Sequence, residues 1–188
     1  SGEWLDAYDD IREEAHRKFL EEIRKEAGKK HVMPLMVGMG AAMPEPEYVL
    51  PLDGEGDTAL YVLARNSGEG SDRKAEKGDV LLSDTEVRDI LAASEKYARF
   101  MLVLNVGGPV DLTPVREVGN ILVLSQLGVE MGRALADVLL GKAVPSGKLT
   151  TTWAAWGDYC PDITMGAAED TIYREGVYVG YRYFETIG

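Results

Sequence analysis

The sequence predicts an α/β fold: a layered α/β sandwich with a mainly parallel sheet covered by helices on both faces. Short, wholly apolar runs (ALYVLA at 59–64, FMLVLNV at 100–106, NILVLS at 120–125) read as strands buried on both sides. They alternate with longer stretches of helical periodicity. At 188 residues, 45% hydrophobic and 28% charged, the chain suits one domain with a sizeable core.

Taken in order, residues 3–27 predict a long amphipathic helix. Trp4, Tyr8, Ile11, Ala15, Phe19, Ile23 and Ala27 recur every three or four residues, and Gly28 is the expected stop. HVMPLMV (31–37) predicts a strand that Pro34 moves to a sheet edge. Residues 38–57, rich in Gly, Pro and acids, predict an irregular connection before the strand at 59–64. Ser83-Asp84-Thr85-Glu86 is a capping-box pattern opening a helix over about 84–98. A third helix is expected over 129–140, with Met131, Leu135, Val138 and Leu139 on one side and Gly141 after them. VYVGYRYF (177–184) predicts an aromatic, extended segment. No internal repeat, low-complexity segment or long linker divides the chain, so residues 1–188 read as one domain.

Charge and composition narrow the function classes. A formal net charge of -12, with basic residues scattered apart from Lys29-Lys30 and His31, argues against nucleic acid. No apolar run approaches the ~20 residues of a membrane span. No signal peptide is visible, and Ser1-Gly2 fits a tag remnant. A cytoplasmic setting is slightly favoured over a secreted one. The one cysteine, Cys160, allows neither an internal disulfide nor a cysteine-based metal site, and reads as a small apolar residue. His16 and His31 are not in ligand spacing. No metal and no cofactor are expected.

In parallel α/β sheets, functional groups gather in loops beyond the carboxyl ends of the strands. Three loops qualify: 65–79, 107–114 and 126–129. Gly38-Met39-Gly40-Ala41-Ala42-Met43 half-matches a dinucleotide fingerprint. It lacks the third glycine and leads into MPEPEYVLP rather than a helix, so a turn is the better reading. Gly107-Gly108-Pro109 and Pro145-Ser146-Gly147 read as scaffold turns.

The first loop, ARNSGEGSDRK (64–74), is different. Glu69 stands between Gly68 and Gly70, which leave its backbone open to close approach. Asp72, Arg73 and Lys74 follow, with Arg73 positioned to pair with Asp72 and shape the loop. A carboxylic acid there can be a general acid, a metal ligand or a solvated charge, and the solvated charge is the ordinary reading. Glycoside cleavage normally needs two carboxylates. No second one has an obvious claim: Asp84 belongs to a helix cap, Asp57 and Asp79 are loop acids without context, and Glu130 begins a helix, where the dipole favours an acid.

Four stretches together, ARNSGEGSDRK, LVLNVGGPVDL (102–112), GVEMGRALADVLLGKAVPSGKLTTTW (128–153) and YREGVYVGYRYFET (173–186), resemble in content and order the α/β-sandwich domain of glycoside hydrolase family 3. That resemblance implies a β-glucosidase-like, exo-acting retaining enzyme acting on a β-linked glucoside or oligosaccharide. It implies that a TIM-like barrel of the same enzyme carries an aspartate nucleophile and that the sandwich supplies Glu69 as general acid/base. Under this reading the chain is truncated at both ends, lacks its barrel and is inactive alone. Gly128-Val129-Glu130-Met131-Gly132 departs from the family's usual pattern by Val129 in place of Gln. The competing expectation is a non-catalytic carbohydrate-binding or scaffold module, with the rings of Tyr173–Phe184 either stacking on sugar or buried at an interface.

Overall fold

A computed structural model describes residues 2–39, 41, 43, 46–65, 73–159 and 175–187. Three strands form the sheet: β1 (Thr58–Ala64), β2 (Arg99–Asn105) and β3 (Ile121–Val123). They lie in the order β1-β2-β3, and both ladders are parallel. Thr58 stands opposite Arg99 and Ala64 opposite Asn105, while Leu102 to Leu104 face Ile121 to Val123. The α/β class and the parallel sheet are therefore as expected, and all three apolar runs became strands.

Two helices precede the sheet, α1 (Gly2–Lys30) and the short α2 (Pro34–Gly38). Between β1 and β2 lies α3 (Asp84–Lys96), and after β3 come α4 (Met131–Leu139), α5 (Trp156–Tyr159) and α6 (Tyr181–Ile187). The capping box forms as its pattern predicts. Ser83 Oγ accepts from the Glu86 amide at 3.2 Å, and Glu86 Oε2 accepts from the Ser83 amide at 2.8 Å. Ile90 and Ala93 of α3 are buried in one cluster with Leu63 of β1, Phe100, Leu102 and Leu104 of β2, and Val115 of a single 3₁₀ turn. This is the core. On the strand positions that face away from α3, Leu60 and Val62 are 47% and 52% exposed. Among the described elements α3 is the helix that packs on the sheet; helix cover of the second face is not seen in them.

Three expectations need correction. HVMPLMV is not a strand: Met33 is extended, as a residue before proline must be, and Pro34 begins α2. Proline is favoured at the first helical position, where its missing N–H is no loss, whereas in a sheet it removes a ladder bond. The segment 177–184 is not extended throughout. Gly180 has a φ of 59° and α6 starts immediately after it, since a left-handed residue breaks a strand pattern. Finally, α1 runs past Gly28 to Lys30. His31 takes the left-handed position with φ 55°, and Val32 N donates to Ala27 O at 3.1 Å, satisfying a helix-end carbonyl. Lys29 and Lys30 in the last turn complement the helix dipole.

Candidate active site

Four of the five residues singled out in the first loop, Gly68, Glu69, Gly70 and Asp72, lie outside the described residues. The fifth, Arg73, is described, as are both flanks of the segment. These flanks are held by an ordered set of charged groups.

Arg65 is the first residue beyond β1. Its amide continues the ladder by donating to Asn105 O at 3.1 Å. Its guanidinium turns inward, so the residue is only 8% exposed. Nη1 and Nη2 donate to Oε1 and Oε2 of Glu86, each at 2.7 Å, in a bidentate pair. Nε donates to the main-chain carbonyl of Asp79 at 2.7 Å, and Nη1 also reaches Ala64 O at 2.9 Å. Glu86 therefore does two jobs, closing the capping box of α3 and neutralising the buried cation. A buried charge persists only when paired and hydrogen-bonded in this way.

Arg73 holds the other flank. Its Nε donates to Asp79 Oδ1 at 2.7 Å and its Nη1 to Pro109 O at 2.8 Å. The amide of Lys74 donates to Asp79 Oδ2 at 2.6 Å. Arg73 Nη2 is buried without an acceptor among the described residues. Asp72, its expected partner, lies outside those residues; among the described ones, the carboxylate on Arg73 is Asp79. A Cβ on Gly108 would come within 3.2 Å of Arg73 Nη1, so glycine there leaves room for the guanidinium. The Gly107-Gly108-Pro109 turn is thus the wall that Arg73 docks against.

The three loops predicted to matter converge on this point. Residues 65–79 meet 107–114 through Arg73, and the amide of Asp111 donates to O of Val80, the residue that follows the loop, at 2.8 Å. The third loop joins where Gln126 Nε2 donates to Arg65 O at 3.3 Å. Sequence reasoning missed Arg65, Glu86 and Asp79 as a set. The available signal was a charged residue closing a wholly apolar run, since Arg65 directly follows ALYVLA.

The electrostatics of the neighbouring core are distinct. Burial pushes the Tyr61 hydroxyl upward, with Tyr48, Glu86 and Asp89 adding to the effect, so it stays protonated. Among the described residues no group of three or more His, Cys, Asp or Glu side chains is arranged for a metal ion. No described helix is long and apolar enough to cross a membrane.

Comparison with known proteins gives this arrangement its context. The family model of the glycosyl hydrolase family 3 C-terminal domain matches residues 2–181. Beta-glucosidase A of Butyrivibrio fibrisolvens is 38% identical over 159 residues, covering 70% of this chain and 19% of its own length. A beta-glucosidase of Ruminococcus albus is 34% identical, covering 69% and 14%. The solved structure of beta-glucosidase 3B from Thermotoga neapolitana in complex with glucose superposes with a TM-score of 0.64 at 41% identity, over 70% of this chain and 20% of that one. The chain thus spans about a fifth or less of the length of these relatives. With nearly its whole length matched and an α/β fold shared with a solved β-glucosidase, the chain belongs to the glycosyl hydrolase family 3 C-terminal domain family.

Proposed function

We propose that this domain supplies the general acid/base of a retaining, exo-acting, β-glucosidase-like hydrolase, and that Glu69 is that group. The observation that carries the reading is family membership with relatives named as β-glucosidases, one of them solved in complex with glucose. The nucleophile is an aspartate on a TIM-like barrel of the same enzyme, and the substrate is a β-linked glucoside or oligosaccharide. In the first step Glu69 donates its proton to the glycosidic oxygen as the C–O bond breaks, and the aspartate forms a covalent bond to the anomeric carbon. In the second step the Glu69 carboxylate takes a proton from water, whose oxygen displaces the aspartate. Neither step calls for a metal or an organic cofactor. Firm flanks for the loop suit this role, because a general acid must sit within hydrogen-bond reach of one oxygen.

The test uses aryl β-glucosides in the full-length enzyme. Glu69→Ala is expected to slow substrates with poor leaving groups by roughly 10²–10⁴-fold. Substrates with good leaving groups should be affected least at the first step, and azide should restore their turnover. The 188-residue chain alone should hydrolyse nothing. Indifference of Glu69→Ala to leaving group overturns the reading in favour of another acid or a non-catalytic module, and turnover by the chain alone overturns the site shared with a barrel.

A further inference from the structure

Asp79 ties together both flanks of the loop that carries Glu69, and it does so with chemically different parts of one residue. Its carboxylate takes the Arg73 side chain on Oδ1 and the Lys74 amide on Oδ2, at 2.7 and 2.6 Å. Its main-chain carbonyl takes Arg65 Nε at 2.7 Å. The residue is itself held in a tight turn. Gly78 has a φ of 87°, its amide donates to Leu81 O at 2.9 Å, and the Asp79 amide donates to Glu76 O at 3.2 Å. The far ends of both arginines are fixed as well, Arg65 by buried Glu86 and Arg73 by Pro109 O. The side chains of Arg73 and Asp79 are 23% and 29% exposed, so their charge-assisted bond is only partly screened.

We propose that Asp79 is a positioning residue, setting the separation and direction of the two flanks between which Glu69 is carried. The role rests on the acid/base reading above. Only a carboxylate satisfies this arrangement, because both of its oxygens face donors. An asparagine would turn an NH₂ toward either Arg73 Nε or the Lys74 amide and lose one of the two bonds. Displacement of a catalytic group by about 1 Å costs about 10²-fold in rate, so the geometry of the flanks translates directly into turnover.

The experiment is a double-mutant cycle in the full-length enzyme. It measures kcat/KM across aryl β-glucosides of graded leaving-group pKa for the parent, Asp79→Asn, Glu69→Ala and the pair. Asp79→Asn should slow poor leaving groups by about 10- to 100-fold and good ones much less. In the Glu69→Ala background it should add less than about twofold, because residues acting as a unit are not additive. Arg73→Lys, which keeps the charge but loses the fork, should show the same pattern, with a melting temperature close to that of the parent for both variants. Equal slowing in both backgrounds, or equal slowing of every leaving group, overturns the positioning role and leaves a structural one. If Glu69→Ala depends on leaving group while Asp79→Asn and Arg73→Lys are silent, the positioning role alone falls. If Glu69→Ala is itself indifferent, the acid/base reading falls and this role with it.

Discussion

The helices α1 and α3 are both amphipathic in sequence, yet the chain uses them differently. α3 has 13 residues and buries Glu86, Asp89, Ile90 and Ala93, the last two in one cluster with the sheet and the 3₁₀ turn. α1 has 29 residues, and among its described side chains only Ala27 is buried, while Leu5, Ile11 and Leu20 stand in solvent. Its surface is instead laced with pairs one turn apart, such as Arg17 with Glu14 and Glu21, and Lys29 and Lys30 with Glu26. Such exposed pairs contribute little each. Hydrophobic periodicity therefore reports that a helix forms, but the partner it meets decides how much that helix stabilises the fold.

The comparison breaks most visibly at Glu86. Glu86→Ala leaves the Arg65 guanidinium buried without its carboxylate and removes half of the capping box. It is expected to lower the unfolding free energy by about 3–5 kcal/mol, read from urea unfolding of this chain. A smaller loss would mean that water reaches Arg65. Next comes Leu102→Ala, which opens a cavity at a residue with no exposed surface and should cost about 2–5 kcal/mol. The matching change on the long helix, Ile11→Ala, should stay within about 0.5 kcal/mol. If the two proved equal, α1 would contribute to the core after all.

The smallest effect is a pH response in α1. Arg17 and Lys18 hold the Glu14 carboxyl below its ordinary value, and Lys29 and Lys30 do the same to Glu26. A lowered folded-state pKa means that the stabilisation is present above the unfolded-state pKa. It is then lost as pH falls through the folded one. Helicity followed by far-UV circular dichroism should decline slightly on acidification through the carboxylate range. Glu14→Gln should remove part of that decline, and high salt should blunt it.

How much was legible followed the range of the interactions involved. The capping box at Ser83–Glu86 could be read because its bonds close within one turn of helix. The three strands could be read because burial on both faces demands apolar runs. Segment 31–37 misled because Met, Leu and Val suit strand and short helix alike, and Pro34 settled the matter as a helix start. The aromatic run at 177–184 misled because its composition carries no period, and the conformation of Gly180 decided it. Asp79 looked like a loop acid without context because the turn at Gly78 and the inward course of Arg65 after β1, which bring its partners to it, are features of the fold rather than of composition. The role proposed for Glu69 comes from the resemblance of four ordered stretches to a family, since its neighbours alone suggest a solvated charge, whereas Arg65 and Glu86 became a pair only once the sheet and α3 had been placed side by side.

The order of the strands carries a consequence for how the molecule assembles. Because β1, β2 and β3 run parallel in chain order, Thr58 cannot meet Arg99 until the whole of α3 has been synthesised. Contacts that close long stretches of chain form slowly, since loop entropy is lost before they reward it. The bonds from Arg73 and Lys74 to Asp79 span a handful of residues and can form early. The pairing of Arg65 with Glu86 depends on β1 coming to rest beside β2 and α3, and so belongs to the late, cooperative step. The Arg73–Asp79 turn can thus close from local geometry, whereas the docking of Arg73 on Pro109 O and of Arg65 on Glu86 awaits the completed sheet.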